Sequence, residues 1–136
     1  MATKVYLVKR YADMKRDMHL LRALLARIES DKRLDGADGY TASEFEMPNH
    51  SAEEVAYHVL LLLDAGFLAG SSAVASAPVI ERLTWQGCEF LDDTRDPKIW
   101  DAVTKTAKEL GGFGISLVLE MAKAKIREQI KLKTGI

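Results

Sequence analysis

The chain has 136 residues, of which 48% are hydrophobic and 29% are charged, and its formal net charge is −1. This length and apolar share fit one compact core, and the near-neutral charge excludes a global attraction to nucleic acid or to anionic membranes. The single cysteine, Cys88, excludes an internal disulfide. Because it lies in a helical stretch with no histidine nearby, we expect it to be a buried, unreactive thiol.

The first thirteen residues are predicted to be an N-terminal extension. Within them, Lys4–Lys9 fits either a short strand or part of a helix. This stretch lacks the apolar core of a signal peptide. The longest fully apolar run of the chain, Val59–Leu63, is far too short to span a bilayer. We therefore expect a cytoplasmic protein without membrane contact.

Apolar residues at steps of three and four predict a first helix over residues 13–29. The positions on its apolar face are Met14, Met18, Leu21, Leu25 and Ile28. The following polar stretch, 31–39, contains two glycines and predicts a loop. Residues 40–47 alternate in part and predict a short strand that ends before Pro48.

Ser51 is predicted to begin the second helix, because Glu54 follows three residues later in the pattern of a capping box. Gly66 is predicted to end it, since glycine adopts the left-handed conformation needed there, and Phe67 follows where an apolar contact is common. The predicted buried face consists of Val55, Val59, Leu62 and Leu63.

A β-hairpin is predicted after this helix. Its strands are Phe67–Ala69 and Val79–Leu83, joined by a flexible tip of small residues. In the second strand, alternation predicts Ile80 and Arg82 on one face. Thr84 is predicted to cap a helix over residues 85–92.

Two further helices are predicted near the C-terminus. Asp96-Pro97 indicates a start by a capping carboxylate and a first-turn proline, and this helix is expected to stop at Gly111-Gly112. Ser116 is expected to cap the last helix, whose apolar residues exceed what one small core can bury and so predict a homodimer. Those residues are Leu117, Met121, Ala124, Ile126 and Ile130. We expect Trp85 and Trp100 to be core anchors.

The order of these elements resembles winged-helix proteins, in which a recognition helix is followed by a hairpin called the wing. Residues 56–68 and 82–92 carry that resemblance. The predicted fold class is α+β and mostly helical. It comprises an N-terminal extension (1–13), a winged helix-turn-helix with a small β-hairpin wing (14–93), and two or three additional C-terminal helices (94–136). Those helices pack on the module or mediate dimerisation.

Three phrases resemble one bacterial and prophage family, domain of unknown function 2513. They are Met14-Lys15-Arg16-Asp17-Met18, the Leu-Thr-Trp-x-Gly-x-Glu-Phe-Leu-Asp run from Leu83 to Asp92, and Arg95-Asp96 with Ile99-Trp100, and the helix that contains Tyr57-His58 lies between the first and the second. The resemblance extends from Met14 to about Ala124. Where the family often has histidine, this chain has Cys88. The resemblance implies a fold and a bacterial or prophage setting, and it carries over no catalytic residue.

The charge pattern leaves two functional hypotheses open. One is a DNA-associated transcription regulator that binds double-stranded DNA, as winged helices most often do. The other is a protein-interaction or assembly module, because residues 51–96 hold eight acidic and two basic residues, a formal charge of −6. A helix without Lys or Arg is a poor match to phosphates, whose binding needs cations.

A small set of residues makes up the candidate contact surface for DNA or a protein partner. The alternative for the cations is a solvated helix face, for Tyr57 core packing, and for His58 a bond to a neighbouring backbone group or partial exposure. The set is Lys15, Arg16, Arg22, Arg27, Tyr57, His58 and Arg82.

No catalytic, cofactor or metal motif is present in the sequence. The three histidines, His19, His50 and His58, lack the paired spacing of a zinc site. Serines 71, 72 and 76 lack a nucleophile elbow, and the glycine-rich stretch 111–114 lacks the Lys-Ser/Thr ending of a phosphate loop. We therefore expect a protein that is not an enzyme.

Overall fold

The computed structural model describes residues 11–112 and 114–135. In this part of the chain, five α-helices and a three-stranded antiparallel sheet make an α+β protein that is mostly helical. The chain divides into two compact units, Met1–Cys88 and Glu89–Ile136. The predicted strand or helix at Lys4–Lys9 lies outside the described residues, and the predicted domain boundaries after residues 13 and 93 stay predictions.

Helix α1 spans Met18–Glu29 and buries the predicted apolar face except for Met18, which is half-buried. It begins later than expected because Asp17 is the N-cap: Asp17 Oδ1 accepts the backbone N–H groups of His19 and Leu20 at 2.9 and 3.2 Å. Met14 is buried although it precedes the helix. The buried residues of α1 are Leu20, Leu21, Leu24, Leu25 and Ile28.

The predicted strand over residues 40–47 is present only in its first two residues. Strand β1 spans Tyr40–Thr41 and leads directly into a 3-10 turn, Ala42–Glu44. The backbone N–H of Thr41 donates to a carboxylate oxygen of Glu44 at 3.2 Å, which fixes the turn. Phe45 follows it and is fully buried, so the turn delivers an aromatic side chain to the core.

Helix α2 spans Ala52–Asp64, and both predicted ends are confirmed. At its start, Ser51 Oγ accepts the backbone N–H of Glu54 at 3.1 Å. At its end, Gly66 has a φ of 78°, and the N–H of Phe67 donates to the Leu62 carbonyl at 2.9 Å. These bonds satisfy terminal backbone groups and fix where the chain leaves the helix.

Strands β2 (Leu68–Ser71) and β3 (Val79–Leu83) form the predicted hairpin, and β3 lies between β1 and β2. The strict alternation predicted for β3 is wrong, because Ala69 pairs with Arg82 while Gly70 pairs with Ile80. At this bulge two consecutive residues of β3, Glu81 and Arg82, are both exposed, while Ile80 is buried. A side chain at Gly70 would collide with the carbonyl of Val79.

Helix α3 spans Trp85–Thr94 and begins at the predicted cap, since Thr84 Oγ1 accepts the backbone N–H of Gly87 at 3.1 Å. The expectations that Trp85 and Cys88 are buried are wrong: Trp85 is 75% exposed and Cys88 is exposed. Gly87 packs tightly against the Phe67 carbonyl. Because Gly87 thereby occupies the inward face of this turn, Trp85 and Cys88 project away from it.

Helix α4 spans Pro97–Glu109, with the predicted cap at Asp96, whose Oδ1 accepts the N–H of Lys98 at 2.8 Å. Gly111 and Gly112 then adopt positive φ values of 88° and 99°, as the predicted stop requires. Trp100 is buried and meets the Phe90 ring edge-on at 6.1 Å, so its predicted place in a core is confirmed.

Helix α5 spans Ile115–Thr134 and packs on α4. Its N-cap is Gly114, which offers no side-chain hydrogen bond, so the predicted cap at Ser116 is wrong. Ser116 instead lies inside the first turn. The buried residues of α5 are Val118 and Ala122.

Candidate functional site

The face of helix α2 that points away from the core is the first part of the candidate site. Glu53, Tyr57, Leu60 and Leu61 lie along it half-buried, and Asp64 is exposed. Their spacing of three and four residues places them on one side of the helix. Helix α2 contains no Lys or Arg. The face is therefore acidic at both ends and apolar between them, and we call it the α2 face.

Tyr57 is partly covered by a residue that precedes helix α1. Tyr11, in a short 3-10 turn over Tyr11–Asp13, places its ring centroid 5.7 Å from that of Tyr57. Its hydroxyl donates to the carbonyl of Ala75 in the hairpin tip at 2.9 Å. Burial, and then the charge of Glu53, raise the pKa of Tyr11. Tyr11 therefore joins the α2 face to the hairpin tip.

His58 follows Tyr57 in α2, and the two rings meet edge-on with centroids 5.3 Å apart. His58 is only 2% exposed, so its side chain does not lie at the surface where a contact was predicted. Its Nδ1 lies 2.7 Å from the carbonyl oxygen of Glu54. Its Nε2 accepts the backbone N–H of Asp17, the residue that caps α1, at 2.8 Å. The alternative prediction, that His58 bonds neighbouring backbone groups, is confirmed.

These two bonds define the protonation state of His58. A carbonyl oxygen only accepts, so Nδ1 carries a hydrogen, while Nε2 must be bare to accept from Asp17. Burial lowers the pKa of His58, against the smaller opposing effect of the Glu54 carbonyl. The neutral ring therefore holds the start of α1 against α2.

Three of the predicted cations are exposed in the first unit. Lys15 and Arg16 directly precede Asp17, whose backbone N–H is hydrogen-bonded to His58 of α2. That hydrogen bond therefore also fixes where the backbone of these two cations lies. Arg82 is exposed on β3, where its guanidinium donates to the carbonyl of Leu83 at 3.2 Å. Lys15 and Arg16 therefore lie just before α1, and Arg82 lies in the hairpin.

Arg27 is partly exposed, and its side chain contacts other residues of its own unit. Its Nη1 lies 3.0 Å from a carboxylate oxygen of Asp31, and its guanidinium lies 5.5 Å from the centroid of the Phe45 ring. Arg33 joins the same cluster through Asp31 at 2.7 Å and through the Phe45 ring. Arg27 sits in the last turn of α1 and Arg22, half-buried, in its middle. Arg27 therefore serves packing.

A groove of about 290 Å³ lies beside the start of α2, between that helix and the preceding turn. Phe45, Met47 and Val55 give it apolar walls, and His50 lies at its edge. His50 Nδ1 is 3.0 Å from a carboxylate oxygen of Glu54, so the ring is held against α2. Among the described residues, no group of three or more His, Cys, Asp or Glu side chains is placed to hold a metal ion.

Comparison with known proteins assigns the chain to a family. Residues 15–114 match the family described as "Hypothetical protein (DUF2513)". The chain belongs to the DUF2513 family. This member is similar to an uncharacterized protein of Haemophilus influenzae, with 34% identity over 101 residues, which cover 70% of this chain and 80% of that relative. No solved structure matches it.

The matched part of this DUF2513 protein contains the α2 face, the hairpin and helix α4, and it ends at residue 114, directly before α5. Within the described residues, no helix has the length and apolar character needed to cross a membrane. Sequence analysis included Tyr57 in the candidate site and missed Tyr11. The available signal was that aromatic side chains tend to pack against one another.

Proposed function

We propose that this DUF2513 protein is a winged-helix module that binds a protein partner through its α2 face, without an enzymatic role. The element order supports the winged-helix assignment: α1, β1, a 3-10 turn, α2 and then the β2–β3 hairpin, with β3 between β1 and β2. In this arrangement α2 takes the place of the recognition helix and the hairpin that of the wing.

The observation that carries the proposal is the composition of the α2 face. Glu53 and Asp64 would meet phosphates with like charge, and no basic side chain on α2 offsets them. Tyr57 is already in contact with Tyr11. A face of this kind is poorly suited to a DNA groove.

The same composition fits a protein surface. Leu60 and Leu61 are half-buried in the first unit, and so they offer apolar area that a partner would bury. Glu53 and Asp64 lie at the two ends of that apolar centre and favour a partner with basic residues around an aliphatic core. We infer a basic, amphipathic helix or strand as the kind of segment bound.

Site-specific photocrosslinking in bacterial cells tests this proposal. A benzophenone amino acid at Leu61 is expected to yield a discrete protein adduct, because Leu61 would be covered by the partner. The same amino acid at exposed Lys105 of α4 serves as the matched control and is expected to yield none. Changing Glu53→Lys and Asp64→Lys together should remove the Leu61 adduct. An adduct that persists in that variant, or its absence in the parent, contradicts the proposal.

A second candidate, a bacterial or prophage transcription regulator that binds double-stranded DNA, is favoured by one observation. Lys15, Arg16 and Arg82 are exposed, and cations at the edges of a winged helix can contact phosphates. This candidate requires duplex binding that weakens steeply with salt and weakens uniformly across sequences when Lys15→Ala, Arg16→Ala and Arg82→Ala are combined.

A further inference from the structure

Helix α5 is packed along only part of its length. Its two buried residues, Val118 and Ala122, both lie in its first half. From residue 124 to residue 134 every side chain is exposed except Ile126, which is half-buried. A helix of 20 residues is about 30 Å long, so roughly half of α5 extends without a buried face in the second unit.

An open groove of about 550 Å³ lies beside this second half. Ile99, Ile126 and Ile130 give it an apolar floor. Its wall on the α3–α4 side carries Asp92 and Asp96, together with Arg95, whose guanidinium lies 3.0 Å from the Asp92 carboxylate. Gln129 and Lys133 form the wall on the α5 side. With Lys133 counted, the two acidic and two basic residues of the lining balance, and the one excess negative charge lies on the α3–α4 wall, opposite Lys133.

The end of α5 has the opposite chemistry. Leu132 is 74% exposed. Lys131 and Lys133 flank it, and Lys125 lies on the same side of the helix, two turns earlier. Residues 123–134 hold five basic residues and one acidic residue, a formal charge of +4. An apolar side chain surrounded by ammonium groups is the complement of an apolar floor beside carboxylates.

We propose that the groove of the second unit receives the end of α5 from a second copy of the chain, and that the exchange is reciprocal. In each half of the interface, Leu132 of one copy covers Ile99 and Ile130 of the other, while Lys131 and Lys133 approach Asp92. A twofold interface of this kind is self-complementary, because the groove and its occupant lie on the same unit. The proposal is independent of what the α2 face binds.

Analytical ultracentrifugation tests this interface with one matched pair of variants. The parent chain is expected to sediment as a dimer of the 15.1 kDa chain at roughly 10–100 µM. Leu132→Glu is expected to raise the dimer Kd at least about tenfold, because it places charge on the apolar floor in both halves. Leu110→Glu, at a leucine of similar exposure just after α4, is the control and should leave the Kd unchanged.

A charge exchange identifies the partner surfaces. Asp92→Lys alone and Lys131→Glu with Lys133→Glu are each expected to weaken the homodimer, since like charges then face each other. When the two variants are mixed, both halves of the interface regain opposite charges, and a heterodimer is expected to form. Asp92 suits this test because it is exposed and does not cap a helix.

Three results would overturn the proposal. The parent chain could remain a monomer at about 100 µM, the dimer could survive Leu132→Glu, or the mixed charge variants could fail to associate. Circular dichroism of each variant keeps the test valid: Leu132 makes no buried contact in the second unit, so helix content should stay constant. Binding of a monomeric parent chain to anionic vesicles would assign the basic end of α5 to a lipid surface instead and would also overturn the proposal.

Discussion

Helices α1 and α5 show how differently two helices of one small protein are held. Helix α1 buries five of its 12 residues, is capped by Asp17 and is fixed to α2 by His58. Helix α5 buries two of its 20 residues and begins without a side-chain cap. The position of α1 is therefore set by its own unit, whereas the second half of α5 has no buried face in its unit.

The largest loss of stability is expected when a buried leucine of α1 is truncated, and truncating an exposed leucine of α5 should have almost no effect. Leu24 of α1 is fully buried and Leu132 of α5 is 74% exposed. Leu24→Ala is expected to lower the free energy of unfolding by about 3–4 kcal/mol, because it removes apolar contacts and leaves a cavity. Leu132→Ala, measured at monomeric concentration, should change it by less than about 0.5 kcal/mol. Urea denaturation gives both values, and equal losses would break the comparison.

The His58 contact predicts a second, smaller loss. His58→Ala leaves the Asp17 N–H without its partner and opens space beside α1, and should cost about 2–3 kcal/mol. His19→Ala, at an exposed position of α1, is the control and should cost well under half as much. Amide exchange at Asp17 should accelerate in the His58 variant alone, and unchanged protection would show that the bond does not hold α1.

The pH dependence of stability follows from the same residue. Burial lowers the folded pKa of His58 below its unfolded value near 6.5. As the pH falls below about 6.5, the unfolded chain takes up the proton first, so stability that is complete above that pH is lost towards the folded pKa. The parent chain should lose more stability in this window than His58→Ala. Superimposable pH profiles would contradict the neutral, bonded ring.

The smallest effect should come from the helix caps. Ser51→Ala removes the bond to the Glu54 N–H and should cost about 1 kcal/mol. Gly114→Ser should raise the thermal stability by a few tenths of a kcal/mol, because Gly114 already has extended backbone geometry at φ −66° and ψ 158°. Calorimetry measures both. A gain at Gly114 as large as the loss at Ser51 would mean that α5 is limited by its cap rather than by missing contacts.

Local chemistry made much of the fold predictable from sequence. The bounds of α2 followed from Ser51 and Gly66, and the start of α4 from Asp96, because each of these signals acts within one turn of the chain. The burial of Trp85 was predicted wrongly because Gly87 faces Phe67 there, a contact that depends on the hairpin. The bulge in β3 also escaped prediction, since register depends on two strands.

The candidate site was predictable in its charge and in one residue, Tyr57. The acidic character of α2 is a property of composition, and it was visible before the fold was known. The burial of His58 and the engagement of Arg27 depend on which elements meet in space. Arg27 contacts Phe45, which is 18 positions away in the chain, and His58 contacts Asp17, which is 41 positions away. The periodicity of apolar residues within one helix predicts neither of these contacts.

The most direct test of the central claim, that the α2 face binds a protein and not DNA, is a fluorescence anisotropy titration with mixed-sequence duplex DNA. At about 20 mM salt, where phosphate contacts are stronger than at physiological salt, the parent chain is expected to leave the anisotropy unchanged up to roughly 10 µM protein. That concentration lies within the range of non-specific Kd values at physiological salt, about 1–100 µM, so a DNA-binding protein would give a signal. Saturable binding that weakens steeply with salt, and that is lost in the combined Lys15→Ala, Arg16→Ala and Arg82→Ala variant, would contradict the claim.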